Sequence, residues 1–132
     1  MTRLLLAIDL GAESGRAVLG RFKDGRLSLD EVHRFPNVIL NLNGRLHWDV
    51  YGLLADVKKA LRACAGPGAA GLESLAVDTW GVDFGLLAAD GSLLGLPVSY
   101  RDRRTQGAME ALFRTVGRER IYEATGIQFL PF

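Results

Sequence analysis

The sequence has little cysteine and almost no net charge, and each shortage excludes a class of protein. Its 132 residues include one cysteine, Cys64, so an intrachain disulfide is impossible and a structural zinc site is not expected. A single thiol is typical of a reducing compartment, and we expect a cytoplasmic protein. The formal net charge is +1, which gives no reason to expect nucleic acid or an acidic membrane as a partner.

Long hydrophobic runs are also missing. The apolar stretch near the N-terminus, residues 4–8, ends at Asp9 and is too short to span a membrane. Because no small-residue cleavage site follows it, we interpret it as a fully buried strand rather than a secretion signal. The hydrophobic share of 48% and the charged share of 23% are those of one ordinary globular domain with a real core.

The first motif is the turn after this strand, with the sequence Asp-Leu-Gly-Ala-Glu-Ser-Gly-Arg over residues 9–16. Glycines in such a turn allow a positive φ and let the backbone approach a ligand closely. Successive backbone N–H groups there can form a nest for an anion such as phosphate. Asp9 beside the nest suits a divalent cation. A plain β-hairpin with an acidic tip explains the same residues equally well.

The remaining pattern predicts a three-stranded meander, a crossover helix capped by Asp49, and a fourth strand parallel to the first. This order describes an α/β protein with a mixed sheet and flanking helices. Neither a G-x-G-x-x-G motif nor a Walker P-loop follows the first strand. The predicted strands are residues 4–9, 16–22, 27–35, 72–77, 84–88 and 93–96; the helices are 50–64, 106–116 (capped by Thr105) and 119–125; residues 36–45 and 66–71 are predicted loops, with a short extended piece at 46–48.

A second motif, Asp-Thr-Trp-Gly-Val-Asp-Phe over residues 78–84, follows the predicted parallel strand. In an open α/β sheet, ligands bind beyond the carboxyl ends of the strands, so Asp9 and Asp78 should share one rim. Two acids, a glycine turn and Trp80 on one rim suit a sugar or polyol that faces a magnesium nucleotide. Trp80 as a core aromatic and Asp78 as a turn former are each plausible when taken singly, and less so when both lie beside a glycine and a second acid.

Together with two further stretches, these motifs make the sequence similar to a known family. Residues 9–16, 78–84, 95–105 and 126–132 resemble the N-terminal part of the rhamnulokinases, a branch of the FGGY carbohydrate kinases. The resemblance implies the actin-like, ribonuclease H-like fold, with residues 1–132 as the N-terminal portion of the first actin-like domain. The rest of that domain and a second domain would lie beyond Phe132, which also fits the large apolar residues of the last stretch.

The resemblance implies that the full-length protein transfers the γ-phosphoryl group of ATP, with Mg²⁺, to the 1-hydroxyl of the ketose L-rhamnulose. Asp9 would help to hold Mg²⁺ through water, and Gly81 and Trp80 would contact the ketose. The proton-accepting Asp would lie in the C-terminal remainder, so the 132-residue piece alone is expected to be inactive. The ATP phosphates would be contacted by Ala12, Glu13, Ser14, Gly15 and Arg16, with the Glu13 side chain pointing away.

Secondary candidates and two alternatives complete the predictions. The secondary candidates are Asp83, Tyr100, Arg101 and Asp102, the last as a residue that orients Arg101 or Arg103 at the sugar pocket. One alternative is an FGGY kinase for another ketose, such as L-fuculose or D-xylulose. The other is a non-catalytic actin-like or Hsp70-like ATP-binding module, for which Ser or Thr would be expected at positions 12 and 13. His33 and His47 lack triad or metal partners and are interpreted as structural.

Overall fold

A mixed four-stranded sheet forms the centre of the computed structural model, which describes residues 1–64 and 71–132. The strands are β1 (Arg3–Leu10), β2 (Ser14–Lys23), β3 (Arg26–Pro36), β4 (Ile39–Leu42), β5 (Arg45–Trp48) and β6 (Leu72–Thr79); the helices are α1 (Val50–Cys64), α2 (Ala108–Thr115) and α3 (Arg118–Thr125). The sheet has the order β3-β2-β1-β6, with β6 parallel to β1 and the other pairs antiparallel. The predicted meander and parallel fourth strand are therefore confirmed.

Two hairpins show how local sequence determines the turns. Asp24 and Gly25 between β2 and β3 both have positive φ, 49° and 75°, as a two-residue hairpin turn requires. Asn43 and Gly44 adopt the same conformation, with φ of 51° and 77°, and join β4 to β5. The prediction of a loop over residues 36–45 is thus wrong for residues 39–42 and 45, because the Asn-Gly pair closes a hairpin.

The core lies between one face of the sheet and α1. Its buried members are Leu4, Leu6, Ile8, Ala17, Leu19, Ala60 and Cys64. The helix begins where predicted, since Asp49 Oδ1 accepts a hydrogen bond from the Gly52 N–H at 2.9 Å. The fully buried first strand is a wrong prediction: among the described residues the face of β1 away from α1 stays open, with Ala7 exposed and Leu5 only half-buried.

The second half of the chain contains more irregular structure than the sequence predicts. Residues 84–88 and 93–96 are not strands, because a single bridge between Leu87 and Leu93 joins them around the predicted Asp90-Gly91 turn. Their leucines are largely exposed and find little to pack against, for example Leu86 at 62%. None of the helices in residues 1–64 and 71–132 combines the length and apolar character that crossing a membrane requires.

After residue 100, both α-helices begin directly after a glycine, and the predicted threonine cap does not form. Thr105 ends a 3₁₀ helix, Arg103–Thr105, and Gly107 with φ 74° precedes α2, so the predicted Thr105 cap is wrong. Helix α3 ends as predicted at Gly126, which has φ 64°. The predicted loop at residues 66–71 falls almost wholly outside the described residues.

Candidate functional site

The carboxyl ends of β1 and β6 form one rim, as predicted. Asp9 lies opposite Asp78, and Leu10 lies opposite Thr79. Beyond the strands, the backbone N–H of Trp80 donates to the carbonyl of Leu10 at 3.3 Å. The two sequence motifs are therefore in direct contact at the edge of the sheet where α/β proteins bind ligands.

The residues between β1 and β2, with Ser14 and Gly15 of β2, form a tight connection, here called the glycine turn (residues 11–15). The Gly11 N–H donates to the Ser14 carbonyl at 3.1 Å. Neither Gly11 nor Gly15 has a positive φ, so the prediction that they serve this purpose is wrong. They are needed for space: a Cβ on Gly11 would lie 2.7 Å from the Ser14 oxygen, and one on Gly15 would overlap the ring of Phe35.

Asp9 and Arg16 pair with each other across the two strands. Arg16 Nε lies 3.2 Å from Asp9 Oδ2, and the side chains are 44% and 49% exposed. An exposed pair of this kind contributes little stability, so either group can be redirected to a ligand at small cost. Arg16 would then be free for an anion and Asp9 for a cation.

The carboxylates at the rim fit a magnesium ion that is shared with a substrate. Among the described residues no group of three or more His, Cys, Asp and Glu side chains is arranged to hold a metal. Mg²⁺ keeps several waters and is commonly held by one or two carboxylates together with substrate phosphates. Asp9 and Asp78, side by side on adjacent strands, meet that limited requirement.

Glu13 and Arg101 meet beside the glycine turn. The Glu13 side chain is 85% exposed, and its carboxylate lies 3.6 Å from Arg101 Nη2. A hydrogen bond from Arg101 Nε to the Tyr100 hydroxyl raises the pKa of the guanidinium, with a smaller contribution from Glu13. The arrangement places a permanent positive charge near the turn that is predicted to bind phosphate.

Asn37, which the sequence did not single out, holds the glycine turn from the side. Its Nδ2 donates to the Gly11 carbonyl at 2.9 Å, and its backbone N–H donates to the Glu13 carbonyl at 3.0 Å. The residue is 8% exposed, and its Oδ1 is buried without a hydrogen-bond partner among the described residues. Its position just after Phe35 and Pro36 gives no sequence signal, because only the folded sheet brings β3 to the turn.

The second motif continues into what we name the tryptophan segment (residues 80–83). Trp80 Nε1 donates to Asp83 Oδ2 at 2.7 Å, and Trp48 Nε1 donates to the same oxygen at 2.6 Å. The two indole rings lie 4.6 Å apart between centroids. Trp48, which is 1% exposed, is a second residue that the sequence did not indicate as part of the site.

The backbone of the tryptophan segment is unusual at two neighbouring positions. A Cβ on Gly81 would meet no atom within 4 Å, so its backbone is open to a ligand. Val82 has φ 71°, a left-handed conformation that is strained for a β-branched residue. Strain of this kind is concentrated at functional sites.

A pocket of about 190 Å³ opens beside this segment. It is lined by Trp48, Trp80, Asp83 and Pro97, among others. A larger concavity of about 680 Å³ lies against α3 and includes none of the predicted site residues. The smaller pocket is therefore the better candidate site, because it adjoins the rim.

Asp102 has a structural role that differs from the predicted one. Its Oδ2 accepts from the Leu46 N–H at 2.8 Å, and its Oδ1 accepts from Arg45 Nη1 at 2.9 Å and the Arg104 N–H at 2.8 Å. These bonds, the one from Leu46 first, lower the pKa of the carboxyl group. Asp102 therefore joins β5 to the 3₁₀ helix and does not orient Arg101 or Arg103.

Both histidines make contacts that join parts of the fold, as expected of structural residues. His33 Nε2 lies 3.1 Å from Asp56 Oδ1, at the contact between β3 and α1. His47 Nδ1 lies 2.9 Å from the Leu96 carbonyl. Neither contact includes a residue of the rim.

Two curated relatives match the chain closely. Rhamnulokinase of Bacteroides thetaiotaomicron is 45% identical over 132 residues, which are 100% of this chain and 27% of that protein. Rhamnulokinase of Pectobacterium atrosepticum is 45% identical over 130 residues, which are 97% of this chain and 26% of that protein. The chain thus spans about a quarter of the length of these relatives. No protein-family model matches it.

Solved structures with the same fold are also sugar kinases. Gluconate kinase from Lactobacillus acidophilus has a TM-score of 0.76 at 14% identity and covers 96% of this chain and 25% of its own. Xylulose kinase from Rhodospirillum rubrum has a TM-score of 0.68 at 19% identity and covers 91% and 25%. At these identities the likeness establishes the fold. The chain has the actin-like, ribonuclease H-like fold of the FGGY carbohydrate kinases and resembles the N-terminal part of the rhamnulokinases along its whole length.

Proposed function

We propose that the full-length protein is a cytoplasmic kinase that transfers the γ-phosphoryl group of ATP to the 1-hydroxyl of L-rhamnulose, in the breakdown of L-rhamnose. The main support is the shared rim, where Trp80 of the tryptophan segment bonds to Leu10, the residue just before the glycine turn, and Asp9 lies opposite Asp78. Similarity to two rhamnulokinases over essentially the whole chain favours this ketose.

On the nucleotide side, the glycine turn would bind the ATP phosphates. Phosphoryl transfer depends on positioning and charge neutralisation more than on covalent help from the protein. The backbone of residues 12–16 would supply N–H donors, and Arg16 would turn from Asp9 to a phosphate oxygen. Asp9 would hold Mg²⁺ through water, with Asp78 beside it, and a bound Mg²⁺ would offset phosphate charge.

On the sugar side, Gly81 and Trp80 would contact the ketose. The open space at Gly81 lets a hydroxyl approach the backbone closely. The indole of Trp80 gives the pocket an apolar wall against which the C–H faces of a sugar can pack. This division leaves the reacting hydroxyl near the rim, facing the phosphates.

Residues 1–132 are proposed to form the N-terminal portion of the first actin-like domain, with the remainder of the protein as their principal partner. The chain covers 27% and 26% of the two relatives, which supports this assignment. That remainder would supply the proton-accepting Asp and the adenosine-binding region. It would also cover the open face of the sheet, where Ala7 is exposed, and the exposed β6 edge, where Val77 is 52% exposed.

The isolated 132-residue chain is therefore expected to show no phosphorylation of L-rhamnulose. The physical reason is that it contributes one side of a two-sided site. A coupled assay of ADP formation on the isolated chain, run beside the full-length protein, measures this. Robust turnover by the isolated chain would contradict the assignment.

A ketose panel with the full-length protein tests the proposed activity. We expect kcat/KM to be about tenfold or more higher for L-rhamnulose than for L-fuculose or D-xylulose, equivalent to about 1.4 kcal/mol of discrimination. A strong preference for either other ketose would change the proposed substrate but leave the proposed kinase activity unchanged. ATP binding without phosphorylation of any ketose would instead indicate a non-catalytic ATP-binding module.

A further inference from the structure

We propose that Asp83 is a positioning residue that fixes the indole of Trp80 against that of Trp48 and so sets the width of the ketose pocket. The inference rests on the proposed function, because that function assigns the pocket to the ketose. Asp83 itself need not touch the sugar. It acts through the indole of Trp80, which is proposed to contact the sugar.

The contacts of Asp83 are concentrated on one oxygen. Oδ2 accepts from Trp48 Nε1 at 2.6 Å and from Trp80 Nε1 at 2.7 Å. An indole has one N–H donor and no acceptor, so the side chain of each tryptophan makes its one possible hydrogen bond here. Bonds to a carboxylate are roughly twice as strong as bonds between neutral groups. Asp83 therefore links the orientation of one indole to that of the other.

The two rings are not equally fixed by the rest of the protein. Trp48 is 1% exposed, and its backbone N–H donates to the Pro97 carbonyl at 3.0 Å. Tyr100 packs on it with ring centroids 6.1 Å apart. Trp80 is half-buried at the rim. Trp48 is thus the fixed reference, and Trp80 is the ring whose orientation depends on Asp83.

The segment retains two features that reduce stability. Val82 holds a strained φ of 71°, and Asp83 Oδ1 is buried without a partner among the described residues. Asp102 shows what a purely structural buried carboxylate looks like here, since both of its oxygens accept hydrogen bonds. Such costs persist where ligand geometry requires them, which favours a functional role for Asp83.

The test uses Asp83→Ala and Asp83→Asn in the full-length protein. Asp83→Ala releases Trp80, and we expect the KM for L-rhamnulose to rise about tenfold or more while the KM for ATP changes less than about twofold. Asp83→Asn keeps an oxygen that accepts from both indoles and should raise the ketose KM about threefold or less. Asp90→Ala is the matched control, because Asp90 accepts from Ser92 at an exposed turn outside the site.

A double-mutant cycle separates positioning from general destabilisation. Trp80→Phe keeps an aromatic wall but removes the donor, so Asp83→Ala in that background should change the ketose KM less than about twofold further. Indole ¹H–¹⁵N spectra give an independent readout: Asp83→Ala should shift both N–H resonances and accelerate their exchange with water. If Asp83→Ala does not fold, Asp83→Asn and Trp48→Phe provide the comparison.

The outcomes distinguish this inference from the function on which it rests. Additive effects in the cycle, or a ketose KM unchanged by Asp83→Ala in an active enzyme, would overturn the role of Asp83 alone. A wild-type protein that phosphorylates no ketose would overturn the proposed function and this inference with it. Both proposals are supported if Asp83→Ala raises the ketose KM, leaves the ATP KM unchanged and has little further effect in the Trp80→Phe background.

Discussion

The glycine turn and the tryptophan segment lie at the same rim but are held in place by different means. Hydrogen bonds to its own backbone fix the turn: the Gly11 N–H donates to the Ser14 carbonyl, and Asn37 donates to the carbonyls of Gly11 and Glu13. Side chains fix the segment, through the two indoles that share Asp83. A site for phosphate can be built from backbone whatever the sugar, whereas a sugar pocket needs side chains that can differ between kinases.

The largest effect is expected from adding a single methyl group to the turn. Gly15→Ala places a Cβ into the buried ring of Phe35, which is 3% exposed. Overpacking of this kind lowers the free energy of unfolding by about 1–3 kcal/mol. Chemical denaturation of the full-length protein measures the loss, and Phe35→Leu in the same background should recover part of it. An unchanged stability for Gly15→Ala would contradict the packing that fixes the turn.

This comparison also shows which parts of the site the sequence could predict. The rim was predictable because β1, α1 and β6 have clear signals, and a crossover helix makes β6 parallel to β1. Asn37 and Trp48 were not, because their site contacts join residues 26 and 35 positions apart, and no local pattern reports such contacts. Residues 84–88 and 93–96 were wrongly predicted as strands, because a leucine-rich hairpin pattern without packing partners does not become a pair of strands.

The next effect concerns nucleotide binding. Asn37→Ala leaves the Gly11 carbonyl without its 2.9 Å donor, so the turn loosens. Such a loss costs about 1–3 kcal/mol, and we expect the KM for ATP to rise about tenfold with little change in the ketose KM. Asn41→Ala is the control, because Asn41 accepts from Gly44 in the exposed β4–β5 turn. Equal effects of the two variants on the ATP KM would remove Asn37 from the site.

A methyl group in the tryptophan segment should behave differently from one in the turn. Gly81→Ala meets no atom within 4 Å, so the free energy of unfolding should stay within about 0.5 kcal/mol of wild type. The ketose KM should nonetheless rise by about tenfold, because the methyl group occupies space proposed for the sugar. Steady-state kinetics and denaturation of the same preparation measure both. A normal ketose KM would place the sugar elsewhere.

The smallest effect concerns pH and Asp102, the carboxylate that joins β5 to the 3₁₀ helix. The folded protein lowers the pKa of Asp102, chiefly through the Leu46 N–H, so its contribution to stability is present above the unfolded pKa of about 3.9 and is lost as pH falls through the lower folded value. Asp102→Asn should therefore lower the melting temperature near about pH 6, and its difference from wild type should shrink towards about pH 3. A gap that stays constant over that range would show that the charge of Asp102 is unimportant.

Equilibrium binding of both substrates to two variants tests the central division of the site most directly. Calorimetric titration of full-length wild type, Asn37→Ala and Asp83→Ala with Mg·ATP and with L-rhamnulose gives six dissociation constants. A crossed pattern is predicted: Asn37→Ala weakens Mg·ATP about tenfold and spares the ketose, while Asp83→Ala weakens the ketose about tenfold and spares Mg·ATP. If both variants weakened both ligands equally, the glycine turn and the tryptophan segment would not serve different substrates.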